Sequence, residues 1–165
     1  MIIRKATIDD TSNIAKVQVE SWRSTYSGFI PADYLDSLSL SEKEALWHKV
    51  ISANKSSTYV VEIPSHQVIG FVNGGPEQTG AFPYSHELYA IYILKEYQQQ
   101  GLGIRLFQEL AKDGIHSFVV WVLAQNPSRE FYKYLGGRKI ATEMVTIGGV
   151  NLEEVAYGIT LTKMK

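Results

Sequence analysis

The sequence predicts an α/β (α+β) fold, a mixed central sheet flanked by helices with one parallel strand–helix–strand crossover at its centre. Three observations predict it. Short strand-type runs alternate with segments whose apolar residues recur at helical spacing. Ser117 to Ala124, SFVVWVLA, is an almost continuous apolar run, as found where both faces of a strand are covered. Upstream, Glu87 to Gln108 joins a strand-type run to a helical one through Gly101-Leu102-Gly103. With Ser117–Ala124 it makes a right-handed crossover unit.

Taken in order, Ile2 to Lys5 is a first strand, and Thr7 and Asp9 are candidate N-caps. Ile14, Val17, Gln18, Ser21, Trp22 and Thr25 recur at helical spacing from Thr11 to about Tyr26. Ser27-Gly28 ends that helix, with Pro31 just beyond. Pro31 to Leu38 reads as a short helix or turn. Ser41 with Glu44 reads as a capping box for a helix whose apolar face is Leu46, Trp47, Val50 and Ile51. Thr58 to Ile63 and Gln67 to Asn73 form a hairpin across Pro64-Ser65-His66, and Gly74 to Tyr84 reads as a loop. The fourth strand is Glu87 to Leu94. A helix to about Lys112 follows, burying Leu106, Phe107, Leu110 and Ala111, and Asp113-Gly114 closes it. After the Ser117–Ala124 strand, Pro127 opens a helix to Leu135 that Gly136-Gly137 caps. Arg138 to Ile147 and Val150 to Thr162 are long strands joined by a tight Gly148-Gly149 turn.

Composition narrows the function classes. A chain of 165 residues, 45% hydrophobic and 20% charged, fits one domain, residues 1–165, with a sizeable core. The 16 Lys+Arg nearly cancel the 17 Asp+Glu, so no field for nucleic acid or anionic membrane is expected. Without cysteine there is no thiolate nucleophile, disulfide framework or thiolate metal site. His48, His66, His86 and His116 have no metal-ligand spacing, and no metal is expected. The N-terminus lacks a signal-peptide pattern, and no stretch reaches the ~20 apolar residues of a membrane span. A cytoplasmic protein is expected.

The strand–glycine turn–helix junction carries the first chemistry. It aims free backbone N–H groups and the positive end of a helix dipole at one spot, which binds phosphate without Lys or Arg. The spacing Gln98-x-x-Gly101-x-Gly103 is neither the three-glycine dinucleotide fingerprint nor a P-loop. It resembles the pyrophosphate-binding motif of the GNAT acetyltransferase superfamily, Gln/Arg-x-x-Gly-x-Gly/Ala. A second run, Asn126 to Gly136, resembles that family's Asn-x-x-Ala/Ser-x-x-Phe-Tyr-x-x-x-Gly, with Asn126, Ser128, Phe131, Tyr132 and Gly136 in register. Gly137 stands where the family usually has an aromatic, a departure that concerns packing.

The resemblance implies a GNAT fold whose sheet is mostly antiparallel, with a splayed parallel pair of fourth and fifth strands. It implies acetyl-CoA as co-substrate. Ile91 and Ile93 would pair with the pantetheine arm, and a backbone N–H near Tyr92 or Ile93 would hold the oxyanion. Gln98, Gln99, Gln100, Gly101, Leu102, Gly103 and Ile104 would cradle the pyrophosphate, while Asn126 and Ser128 would sit beside the pantetheine. Lys95 or Arg105 could assist the phosphates, although solvated charges fit each better. Tyr132 would protonate the departing sulfur and touch the cofactor. The alternative is a core aromatic, a role Phe131 beside it can fill. Glu87 is the candidate base, with a solvated carboxylate at a strand end or a water relay as alternatives. Regular alternation puts Glu87 on one face with Tyr89, Ile91 and Ile93, and His86 on the other.

Tyr26, Phe29, Glu87 and Tyr89 are the candidate acceptor-binding residues, while Trp22 sits on the apolar stripe and reads as core. The expected activity is transfer of acetyl from acetyl-CoA to a primary amine of a small molecule or peptide, by direct attack in a ternary complex. A non-catalytic acyl-CoA-binding regulator of the same fold is the alternative. A nucleotide-binding protein is disfavoured by the missing third glycine. The final hairpin raises a possible homodimer.

Overall fold

Residues 1–161 are described in the structure, a computed structural model, and the predicted strand end at Thr162 lies outside them. The strands are β1 (Ile2–Lys5), β2 (Ser57–Glu62), β3 (Val68–Pro76), β4 (His86–Ile93), β5 (Ser117–Leu123), β6 (Arg138–Ile147) and β7 (Val150–Thr160). They form one sheet in the order β1-β2-β3-β4-β5-β7-β6. Every neighbouring pair is antiparallel except β4–β5. The helices are α1 (Thr11–Tyr26), α2 (Ala32–Asp36), α3 (Leu40–Ala53), α4 (Leu102–Ala111) and α5 (Arg129–Tyr134).

Two layers of helix cover the sheet. Phe71 on β3 meets Trp47 of α3, with ring centroids 5.0 Å apart. Three residues on, Gly74 faces Leu110 of α4. An odd spacing along a regular strand puts the two contacts on opposite faces. Phe71, Phe107 and Phe118 anchor the core between these layers.

Arg4 ties the N-terminal elements together. It donates to both Asp10 carboxylate oxygens, at 2.8 and 2.9 Å, and to Glu62 at 2.6 and 2.8 Å. Burial pushes the Asp10 carboxyl up, but the bonds from Arg4 and Thr7 outweigh it and hold the group below its ordinary value.

Several boundaries differ from the sequence reading, each for a local reason. Thr7 caps a 3-10 turn, Ile8–Asp10, in a reciprocal box with Asp10, and Asp9 caps nothing. The α3 cap is Ser39, whose Oγ accepts the Glu42 N–H at 3.2 Å. Ser39-x-x-Glu42 repeats the pattern of Ser41-x-x-Glu44 two residues earlier, and the earlier serine is the cap used. Pro127 lies in a turn, and α5 starts at Arg129. β3 runs through Gly74, Gly75 and Pro76, expected as loop, because Leu88, Glu87 and His86 supply it with a partner strand.

That pairing contains the irregularity that shapes the site. Asn73 pairs with Ala90 and Gly74 with Leu88, so Tyr89 is the extra residue of a β-bulge. Leu88, opposite Gly74, faces α4, and Glu87, opposite Gly75, shares its face with Tyr89. Ile93 reaches Gly103 at the start of α4, on the other side. Glu87 and Tyr89 therefore do not share a face with Ile91 and Ile93, because the bulge inverts the alternation. His86 lies opposite Glu87, with its ring against Phe118.

At the far edge, Gly148 and Gly149 turn the β6–β7 hairpin with φ of 58° and 79°, as a tight two-residue turn requires. Gly148 presses on the Tyr34 ring of α2, which seats the hairpin tip against the α1–α2 connection.

Candidate active site

The parallel β4–β5 pair closes at one end and opens at the other. Only His86↔Phe118 and Glu87↔Val119 are in register. β5 then stays with β7 along Ser117–Leu123, and β4 continues with β3 alone. The Leu94 N–H goes to the Ile69 carbonyl at 2.9 Å. Antiparallel alternation then turns Tyr92 toward β3 and turns the N–H and C=O of Ile91 and Ile93 into the gap. A cavity of about 600 Å³ fills this gap.

The cavity's one end is the turn into α4. Gln98 Nε2 donates to the Ile93 carbonyl at 2.9 Å, pinning the turn to the strand it leaves. Gln99 and Gly101 have φ of 61° and 75°, a left-handed pair before the helix. The first helical bond runs from Arg105 N–H to Gly101 C=O at 3.2 Å. The N–H groups of Leu102, Gly103 and Ile104 thus have no helical acceptor and lie at the positive end of α4. Gly103 is needed for packing as well: a Cβ there would lie 3.3 Å from the Phe131 ring.

The other end is walled by aromatic rings and hydroxyls. Trp22 Nε1 donates to Tyr92 Oη at 2.9 Å, and Asn126 Nδ2 donates to Tyr26 Oη at 3.1 Å. Asn126 Oδ1 accepts the Ser128 N–H at 2.9 Å, which fixes the amide between β5 and α5. Tyr132 is 5% exposed and lines the cavity, and no partner among the described residues holds its hydroxyl. Burial pushes the Tyr132 and Tyr92 phenols well above the ordinary tyrosine value, and the nearby Tyr26 adds to this. Both are neutral proton donors at physiological pH. Ser21 Oγ is buried without a hydrogen-bond partner in the same wall.

The structure brings most of the sequence-predicted residues to this cavity. Ile91, Tyr92, Ile93, Gln98, Gln99, Gly101, Leu102, Gly103 and Ile104 line one part; Asn126, Ser128, Tyr132, Tyr26 and Tyr89 line the rest. Tyr89 also donates to the Pro76 carbonyl. Gln100, Phe29 and Glu87 are not in the wall. Phe29 packs edge-on to Tyr26 and borders a separate, shallow hollow by the α1–α2 connection. Glu87 accepts the Gln78 N–H at 3.4 Å; burial raises its carboxyl, the Gln78 bond opposes, and Glu77 adds to the rise.

The wall residues that escaped the sequence reading include Ser21, Trp22, read as core, Thr25, Trp121 and Glu154. Ser21, Trp22 and Thr25 had a signal, since small polar residues interrupt an otherwise apolar helical stripe. Glu154 lies on β7 opposite Leu123 of β5 and Glu143 of β6. Burial raises its carboxyl to about 7, and Glu143 pushes the same way. Among the described residues, no group of three or more His, Cys, Asp or Glu could hold a metal ion.

An anion-binding helix start, a strand-like gap and a wall of phenols, in one line, define a site for a long phosphorylated carrier that presents a reactive end. The comparisons agree. The family model described as FR47-like protein matches residues 79–146. The Bacillus subtilis (strain 168) protein named Uncharacterized N-acetyltransferase YuaI is 40% identical over 160 residues, covering 94% of this chain and 91% of that one. The spermidine N(1)-acetyltransferase of Thermoplasma acidophilum is 26% identical over 146 residues, covering 84% and 88%. The fold matches the PaiA N-acetyltransferase of T. acidophilum, solved in complex with coenzyme A. Its TM-score is 0.71 at 23% identity, over 97% of this chain and 98% of that one. The chain belongs to the GNAT superfamily of N-acetyltransferases.

Proposed function

We propose that residues 1–165 form one domain that transfers acetyl from acetyl-CoA to a primary amine of a small molecule or peptide, by direct attack in a ternary complex. The observation that carries this reading is the β4–β5 gap, continuous from the unpaired N–H groups of α4 to the Tyr132 phenol.

The pyrophosphate takes the N–H groups of Leu102, Gly103 and Ile104. The pantetheine amides pair with Ile91 and Ile93, replacing the missing strand. Asn126 and Ser128 border this arm. The thioester carbonyl is polarised by a gap-facing N–H of β4, and that bond strengthens as the tetrahedral oxyanion forms. Tyr132 donates its proton to the leaving sulfur. Tyr26 and Tyr89 border the acceptor. Glu87, engaged by Gln78 outside the wall, is poorly placed to take the amine's proton. The reading includes a cytoplasmic location and a homodimer through the open edge of β6.

The test is coenzyme A release from acetyl-CoA across a panel of amines, polyamines included in view of the Thermoplasma relative. Tyr132→Phe is expected to lower kcat by at least about tenfold with coenzyme A affinity kept. Unchanged release would remove Tyr132 from the acid role. Tight acetyl-CoA binding with no release on any amine would favour the regulatory alternative.

A further inference from the structure

We infer that Glu154, backed by Glu143, is the carboxylate that receives the acceptor's ammonium group and takes its first proton. This inference rests on the acetyl-transfer reading of the same cavity. Among the wall residues Glu154 is the sole carboxylate, and none is Lys, Arg or His. A cationic head entering this cavity therefore meets one carboxyl group, charged as pH rises above about 7, and no competing basic side chain in the wall.

The placement is set by register. Leu123↔Glu154 on one side and Glu143↔Glu154 on the other fix its position across three strands. Leu152, two residues before it on the same face, packs into the cluster of Tyr26, Ile30 and Leu35 beneath α1 and α2. Glu154 thus belongs to the acceptor side of the sheet and lies near enough to Tyr26 to raise its phenol, after burial, which is the main cause. A second observation points to a ligand there. Ser21 is 3% exposed, lines the same cavity, and its Oγ has no partner. Trp22, Trp121 and Tyr26 add ring faces that favour a cation.

The groups facing Glu154 are Glu143 from β6 and Tyr26 from α1, with Leu123 opposite on β5. None is cationic, so among the described residues no basic group facing Glu154 holds the carboxylate charged. Its ordinary value of 4.5 is raised to about 7, by burial first and by Glu143 second. Such a group accepts a proton near neutral pH and returns it to solvent readily. The protons balance as follows. The ammonium gives one proton to Glu154, which passes it to water. The amine nitrogen forms the C–N bond. When the C–S bond breaks, the sulfur takes a proton from Tyr132, and the nitrogen's second proton restores the phenol. One proton is released per turnover.

The test uses the coenzyme A complex of the full chain and two probes, hexylamine and hexan-1-ol, titrated by calorimetry into wild type and Glu154→Gln. Expected is hexylamine binding at about pH 8 that weakens roughly tenfold at about pH 6 or in E154Q, with hexan-1-ol indifferent to both. With any amine that turns over, the wild-type rise of kcat/KM through about pH 7 is expected to vanish in E154Q. Coenzyme A affinity, unchanged in E154Q, shows that the variant is folded. Equal hexylamine binding by both proteins, or a kcat/KM profile kept in E154Q, overturns the inference. If no amine turns over, the transfer reading fails, while the binding arm still decides whether Glu154 holds a cation.

Discussion

A hydrogen atom at Gly103 lets α4 approach Phe131 while leaving its own N–H open toward the cavity. Gly103→Val is expected to cost about 1–3 kcal/mol in denaturant unfolding, by overpacking against that ring. It should weaken coenzyme A binding by shifting the helix start. Stability equal to wild type would show that the contact is slack. Glu154 makes a second residue-scale prediction. Its folded value, about 7, lies above its ordinary 4.5, so the folded state binds more protons between these limits. Stability therefore falls as pH rises through that window and levels off above it. Glu154→Gln should remove this part of the loss, so its Tm advantage over wild type grows with pH. A difference that is flat with pH contradicts the raised value. Neither feature of Glu154 was legible in the sequence. Glu153 and Glu154 are adjacent on a strand and face opposite ways, and only the β5–β7 register decides which one lines the cavity. Glu87 was misplaced for a related reason, since the bulge at Tyr89 leaves no mark in composition.

Elements were more legible where a motif constrains them. The Gln98–Gly103 spacing located the turn, and Asn126–Gly136 located α5 and its cluster of hydroxyls. The α3 cap was ambiguous because Ser39 and Ser41, two residues apart, head the same Ser-x-x-Glu pattern. Ser39→Ala is expected to cost about 1 kcal/mol and Ser41→Ala a few tenths, measured by urea denaturation. The reverse order would move the helix start to Ser41. Loop signals misled at Gly74 to Pro76, where glycine and proline sit in a paired strand because β4 offers backbone partners regardless of side chain.

The sheet combines one parallel crossover with antiparallel pairs of consecutive strands, β2–β3, β3–β4 and β6–β7 among them, and its mixed character could be read from the order of elements. The open half of β4–β5 needed the family resemblance, because a missing ladder has no sequence signature. β6 is an edge strand with Met144 64% exposed. Sedimentation equilibrium is expected to give twice the chain mass, and a monomer at micromolar concentration would remove the proposed pairing. The central claim is direct transfer between two substrates held together across the gap. With no cysteine in the chain, a thioester-linked enzyme intermediate is not available. The measurement that tests this most directly is initial velocity with acetyl-CoA and amine varied together. Intersecting double-reciprocal lines are the predicted result. Parallel lines, with acetyl recovered on the protein before amine is added, would contradict the account.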